Sequence, residues 1–127
     1  MIRTKSIYAE PDSDDGLRVL VTRFHPRGVK KERYDVWCRD LAPSRDLLKR
    51  YKEGTVRWNE FLGMLRSELR GNGDSKRLIR DLNAKSRTQN ITILCYEKSG
   101  MPCHRHMIKR MVENPRMRSY TWDGDSD

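Results

Sequence analysis

Two short stretches of this chain are apolar without interruption, and they constrain the fold more than any other feature. Residues 18–24 (RVLVTRF) set Val19, Leu20 and Val21 side by side, and residues 91–96 (ITILCY) repeat the pattern with richer β-branched content. Successive side chains of a strand point to opposite faces, so a run without polar alternation has to be covered on both. The segment between the two supplies helices. Ser44 can cap a short one carrying Leu47, Leu48 and Tyr51, with Asp46 in its first turn where it suits the dipole. Thr55 can cap a second, in which Trp58, Phe61, Leu62, Leu65 and Leu69 recur at spacings of three and four before Gly71 ends it. Ser75 can cap a third with Leu78, Ile79 and Leu82 on one face, and Met107, Ile108, Met111 and Val112 mark a fourth, stopped before Pro115. A weaker strand falls at residues 5–8.

Strands separated by helices predict a small α/β domain with an at least partly parallel sheet and covering helices. It is expected to span residues 1–114, with a polar tail over 115–127. Tyr120 and Trp122 share a side of that tail if it is extended, so it can add a strand or dock on the body. There is no internal repeat and no low-complexity linker. A chain of 127 residues buries roughly two-thirds of its unfolded surface, enough to fold without a disulfide or metal. No run approaches the ~18 apolar residues of a membrane span, and MIRTKSIYAE lacks the apolar stretch of a secretory signal. Three unevenly spaced cysteines do not form a disulfide framework. The expectation is a cytoplasmic protein in a reducing compartment, away from membranes.

Lysine and arginine number 27 against 18 acidic residues, a formal charge of +9. This attracts phosphate-rich partners without specifying a fold. Glu10, Asp12, Asp14 and Asp15 cluster near the start, and Asp123, Asp125 and Asp127 lie at the other end. Between them run two basic stretches: Arg23, Arg27, Lys30, Lys31 and Arg33, then Lys98, Arg105, Lys109, Arg110, Arg116 and Arg118. Either stretch can be a solvated face.

Several motifs can be set aside. A GxxxxGK[ST] phosphate loop is absent, and Gly71-Asn72-Gly73 reads as a helix-ending turn. Asp12-Ser13-Asp14-Asp15-Gly16 fails as a calcium loop because Gly16 is fifth, Leu17 sixth and Arg23 twelfth. Asn90-Ile91-Thr92 fits a glycosylation sequon but opens a buried strand.

Two longer segments carry more. The first is Asp15-Gly16-Leu17-Arg18-Val19-Leu20-Val21-Thr22-Arg23-Phe24-His25-Pro26-Arg27-Gly28, followed by Lys30-Lys31-Glu32, Trp37 and Leu41-Ala42-Pro43-Ser44. The second is Leu94-Cys95-Tyr96-Glu97-Lys98, then Cys103-His104-Arg105 and Ile108. The first resembles the hallmark of the domain-of-unknown-function 488 family in its short YeaO-like branch. The second is similar to the Cys-x-Glu-Lys…Cys-His-Arg signature of longer members. The sequence departs from the short branch in carrying Thr22 where an Asp usually precedes the first Arg, and Phe24-His25 where Leu-Trp is usual. The resemblance implies a compact α/β fold and brings no established activity, cofactor or metal with it.

The chemistry is therefore read from the residues. In open α/β sheets ligands gather beyond the carboxyl ends of the strands. If the two strong strands are parallel neighbours, Arg23, His25, Pro26 and Arg27 meet Cys95, Glu97 and Lys98 at one edge. There the fourth helix opens with Cys103, His104 and Arg105. Arg23, Arg27 and Arg105 are candidate clamps for an anionic small molecule, with Pro26 and Gly28 fixing the turn that presents Arg27. The alternative gives Arg23 and Arg105 to ion pairs with Glu97 and Asp15. His104 and Glu97 are candidates for proton transfer, and Cys103 for a nucleophile at a helix start. Cys95, Cys103, His104 and His106 could hold zinc, but the usual CxxC spacing is missing, as is a Cys-x5-Arg phosphate loop. Cys38 and Cys95 can equally be small buried hydrophobes and Cys103 a capping residue. The leading expectation is a protein, possible enzyme included, that binds a phosphorylated or other anionic small molecule. Its rivals are a basic module with weak, non-specific affinity for nucleic acid, and a protein-interaction module anchored by Tyr120 and Trp122.

Overall fold

The computed structural model describes residues 1–97 and 103–122. Among these, four strands form one sheet: β1 (Ile2–Ser6), β2 (Leu17–Leu20), β3 (Val36–Trp37) and β4 (Ile91–Cys95). Their spatial order is β1-β4-β2-β3 and every pairing is parallel. Between β3 and β4 the chain forms α1 (Arg45–Lys52), α2 (Trp58–Arg70) and α3 (Gly73–Lys85), and α4 (Arg105–Glu113) follows β4. The fold is thus a small α/β architecture with an all-parallel sheet. β4 slots between β1 and β2 after that helical excursion, so its carboxyl end sits mid-sheet beside that of β2.

The uninterrupted apolar runs are explained by two unequal cores. Val19, Val21, Ile91, Ile93 and Cys95 face the helices, where they meet Phe61, Leu65, Leu69, Ile79, Met107 and Ile108. Leu20 and Leu94 point the other way, into a smaller cluster with Ile7 and the half-buried Val29, Tyr34 and Trp37. That second face is covered by the irregular segment between β2 and β3, which includes a 3-10 turn at Lys31–Arg33, and not by a helix.

Several local readings need correction. The first strand covers Ile2–Ser6, not residues 5–8, because pairing with β4 sets its register: Ile2 lies opposite Ile91 and Ser6 opposite Cys95. β3 was not foreseen; it is only two residues long, paired through Val19 with Val36 and Leu20 with Trp37. Ser44 does cap α1, accepting the N–H of Leu47. Thr55 does not cap α2, which begins at Trp58 after Arg57, and its hydroxyl donates to the Arg50 carbonyl oxygen. Asn72, not Ser75, caps α3, its side chain accepting from the N–H groups of Asp74 and Ser75. Ser75 instead donates its hydroxyl to the Asp40 carbonyl oxygen.

Before β2 the chain makes a close passage that only glycine allows. Gly16 adopts φ +65°, and a Cβ there would stand 2.1 Å from the Asn90 carbonyl oxygen. That same oxygen accepts the Leu17 N–H at 2.9 Å. Asp15, 2% exposed, closes a capping box with Asp12 and pairs with Lys5 at 3.0 Å and Arg18 at 3.6 Å. The acidic cluster is thus a structural clasp. Beyond α4, the half-buried Met117, Tyr120 and Trp122 pack against the main core, and the Trp122 N–H donates to Asn59. The tail docks on the body through residue 122 without forming a strand. Lys98, Asp123, Asp125 and Asp127 lie outside the described residues. Among the described residues, no helix is long and apolar enough to cross a membrane.

Candidate functional site

Parallel packing of β2 and β4 brings their carboxyl ends together with the start of α4. A cavity of about 590 Å³ opens there, within the range that accommodates small-molecule ligands. Its wall is aromatic. Tyr51 closes α1, Trp58 and Phe61 sit in the first turn of α2, and Trp58 stacks on Phe61 with ring centroids 5.0 Å apart. Tyr51 lies 5.2 Å from Trp58 and 5.0 Å from Phe61. Arg23 and Lys52 supply positive charge to the lining, and Glu97 also lines it.

The reactive groups gather among the other lining residues: Thr22, Cys95, Cys103 and His104. Cys95 Sγ, Cys103 Sγ and His104 Nδ1 all lie within 4.8 Å of one another. His104 Nδ1 is 3.7 Å from the Cys95 sulfur and 3.9 Å from that of Cys103. Its other nitrogen, Nε2, is 2.7 Å from the Val21 carbonyl oxygen. A carbonyl oxygen only accepts, so Nε2 carries the proton of the neutral ring. Nδ1 is then left as an acceptor facing both thiols. The last backbone carbonyl of the apolar run Val19–Val21 thereby fixes the tautomer.

The two thiols differ. Burial pushes Cys103 upward, but the Cys95 thiol, the His104 imidazole whose Nδ1 can take its proton, and the Arg105 backbone N–H outweigh burial and hold it well below the ordinary thiol range. Cys95 is held well above that range by the proton it donates to Cys103 and by burial. Cys103 is 4% exposed and Cys95 2%, so the expectation of an exposed helix-start cysteine is corrected. Access to it is through the cavity. The capping reading is corrected: the residue at the cap of α4 is His104, with no side-chain cap bond. Cys38 stands apart, its thiol pushed up by burial and by Asp40.

The expected arginines separate. Arg23 lines the cavity and donates Nε to the Pro43 carbonyl oxygen at 2.9 Å and Nη2 to that of Ala42 at 3.3 Å. Arg105 is fully buried and donates Nη1 to the Glu97 carbonyl oxygen at 2.8 Å, tying the segment after β4 to the start of α4. Backbone carbonyls thus hold Arg23 in place of an ion pair with Glu97 or Asp15. Arg27 is exposed on a turn whose carbonyl oxygen accepts the Tyr8 hydroxyl, and it is not among the cavity's lining residues. His25 is exposed on the other side of the sheet, against the Tyr34 and Trp37 rings and bonded to the Tyr34 hydroxyl at 3.1 Å. His106 is buried in α4 and is not part of the Cys95–Cys103–His104 group, which offers a metal three donors, not four.

Sequence reasoning missed Thr22. It is 1% exposed, lines the cavity, and its Oγ1 has no hydrogen-bond partner of ordinary geometry among the described residues. The nearby Tyr96 hydroxyl donates its own proton to the Phe24 carbonyl oxygen at 2.6 Å. Tyr51, Trp58 and Phe61 were read as core stripe, and their spacing carries no signal of the cavity they also line.

A family model described as the active DUF488-N3 subclade, DUF488-N3a, matches residues 2–116. The chain belongs to that family. Among curated relatives of this DUF488-N3a protein, the uncharacterized protein YeaO of Escherichia coli is 30% identical over 105 residues, covering 81% of this chain and 89% of YeaO. The uncharacterized protein Rv3073c of Mycobacterium tuberculosis is 40% identical over 70 residues, 54% of this chain. The match spans 59% of that relative's length, and the same holds for a Mycobacterium bovis counterpart. No solved structure matches the chain.

Proposed function

We propose that this is a cytoplasmic, cysteine-dependent enzyme acting on a phosphorylated or other anionic small molecule bound in the aromatic-walled cavity. The observation that carries the reading is the meeting of Cys103, Cys95 and His104 Nδ1 within 4.8 Å in the lining of that cavity. A thiolate is the nucleophilic form of cysteine, and a neighbouring imidazole fixed in the accepting tautomer is the usual means of generating it. Cys103 attacks an electrophilic centre of the ligand while His104 Nδ1 takes the thiol proton. That proton then passes to the departing group, which leaves with the bonding electron pair. Glu97, exposed at the cavity lining, is the second candidate for proton transfer. Arg23 and Lys52 attract the ligand's charge, and the faces of Tyr51, Trp58 and Phe61 suit a planar or apolar portion.

The test is a panel of phosphate, carboxylates and nucleotides in thermal melts of the parent and of Arg23→Ala. A ligand at ~100 times its dissociation constant adds about 2.7 kcal/mol, so at least one anion should raise the melting point and slow alkylation of Cys103. Arg23→Ala should lose that shift while still folding. No shift from any anion in the parent overturns the reading.

A nucleic-acid reading is favoured by a separate observation. Arg70, Lys76, Arg80, Arg116 and Arg118 line a depression of about 450 Å³ with no carboxylate in its lining among the described residues. Lys109 and Arg110 do not join it, and Arg110 pairs with Glu113 at 3.7 Å. Duplex DNA should bind there weakly, without sequence preference, and be released by ~200 mM salt. A complex that discriminates sequences at that salt would put this reading first.

A further inference from the structure

We propose that Cys95 and Cys103 form a reversible dithiol–disulfide couple, in which Cys103 reduces a hydroperoxide entering through the cavity and Cys95 resolves the product. The proposal rests on the reading of Cys103 as the cavity's nucleophile and gives Cys95 a role of its own.

Three observations point this way. First, the two sulfurs are neighbours: Cys95 Sγ and Cys103 Sγ lie within 4.8 Å of each other and of the same imidazole nitrogen. A cysteine serving only as a small core hydrophobe has no need of a thiol and an acceptor nitrogen beside it. Second, both cysteines line the cavity although each is almost fully buried, so a small oxidant reaches them while a bulky thiol does not. Third, they sit on different elements that meet at one point. Cys95 ends β4, an interior strand, and Cys103 lies two residues before α4. Joining the sulfurs needs them to close from within 4.8 Å to about 2.05 Å.

The chemistry balances in two steps. The Cys103 sulfur, its proton taken by His104 Nδ1, attacks the nearer oxygen of the hydroperoxide; an S–O bond forms and the O–O bond breaks. The departing alkoxide or hydroxide takes the proton back and leaves as alcohol or water. Cys103 is oxidised by two electrons to a sulfenic acid, and the peroxide is reduced by two. The Cys95 sulfur then attacks the Cys103 sulfur; the S–S bond forms, the S–OH bond breaks, and hydroxide leaves as water with the Cys95 proton, relayed by His104. Two equivalents of a small thiol reductant restore the dithiol. Cys38, half-buried and outside the cluster, takes no part.

The experiment exposes the reduced protein to a small excess of hydrogen peroxide near neutral pH. Remaining thiols are then alkylated, and the chain is digested and mapped without reduction. The proposal expects a Cys95–Cys103 cross-linked peptide, lighter by two hydrogens, with Cys38 alkylated and dithiothreitol reversing the change. In Cys95→Ser, Cys103 should be trapped by dimedone as the sulfenic acid and progress to sulfinic acid; in Cys103→Ser, Cys95 should stay reduced. Should either variant fail to fold, the parent's cross-link map decides alone. Sulfinic acid on Cys103 without a cross-link, or a cross-link through Cys38, overturns the proposal. Modification of Cys103 by both peroxide and iodoacetamide without that cross-link defeats this step alone, whereas an inert Cys103 defeats the nucleophile reading beneath it.

Discussion

Gly16→Ala is the substitution whose cost can be built most directly from the structure. A Cβ at this position would lie 2.1 Å from the Asn90 carbonyl oxygen and 2.6 Å from its carbon, both backbone atoms that cannot swing aside. The residue also holds φ +65° and ψ −134°, a region essentially reserved for glycine, and forcing another residue there costs about 1–3 kcal/mol. Moving the Asn90 carbonyl sacrifices its bond from the Leu17 N–H, worth about 1 kcal/mol more. The sum is about 2–4 kcal/mol. At roughly 3–5 °C per kcal/mol for a domain of this size, the melting point should fall by about 6–20 °C. Gly63→Ala is the control: it lies within α2 with nothing inside 4 Å of an added Cβ, and should gain up to about 1 kcal/mol. A Gly16→Ala protein melting within about 2 °C of the parent would refute the close passage between the Asp15 clasp and β4.

Two further outcomes are expected. Burial pushes Asp15 upward, but the Asp12 N–H, Lys5 and Arg18 outweigh it and leave its folded pKa below the ordinary carboxylate value. The unfolded state then binds the proton more readily, so the stabilisation is complete above about pH 4 and disappears as pH falls through the folded value. Asp15→Asn should therefore cost about 2–4 kcal/mol at pH 7, with the gap to the parent closing in acid; urea unfolding across a pH series reads this, and a gap independent of pH would contradict it. At the helix starts, Ser44→Ala should cost about 1–2 kcal/mol through loss of the Leu47 cap and the bond to Glu68, whereas Thr55→Ala should cost about 0.5 kcal/mol or less. Denaturant midpoints that rank the two the other way would contradict the observed caps.

The fold was legible where local physics and tertiary packing agree. The runs at Val19–Val21 and Ile91–Cys95 announced strands buried on both sides, and the stripes of α2 and α4 announced their apolar faces. What covers the second side was not legible, because Val29, Tyr34 and Trp37 follow no period and are gathered only by the fold. β1 and β3 depend on partners far away in sequence, so neither carries a strong pattern of its own. Caps were mistaken where a hydroxyl found a better acceptor in tertiary structure, as Ser75 does at Asp40. At the site, Cys103, His104, Glu97 and Arg23 were placed at the right edge by the rule for strand ends. The partnership of Cys95 with Cys103, the unsatisfied Thr22 hydroxyl and the spending of Arg105 on a backbone carbonyl are facts of three-dimensional contact that no spacing encodes.

The most direct test of the account is the pH dependence of iodoacetamide labelling at each of the three cysteines, followed by mass mapping. Cys103 should react fastest, with an inflection below the ~8.5 of a free thiol. Cys95 and Cys38 should label slowly, because burial and neighbouring groups disfavour their thiolates. Substituting His104 with Gln should slow Cys103 and move its inflection upward, since the acceptor at Nδ1 is lost. Equal slow labelling at all three sites, or a Cys103 inflection at or above that of a free thiol, would contradict a poised nucleophile in the cavity and leave Cys103 as a small buried core residue.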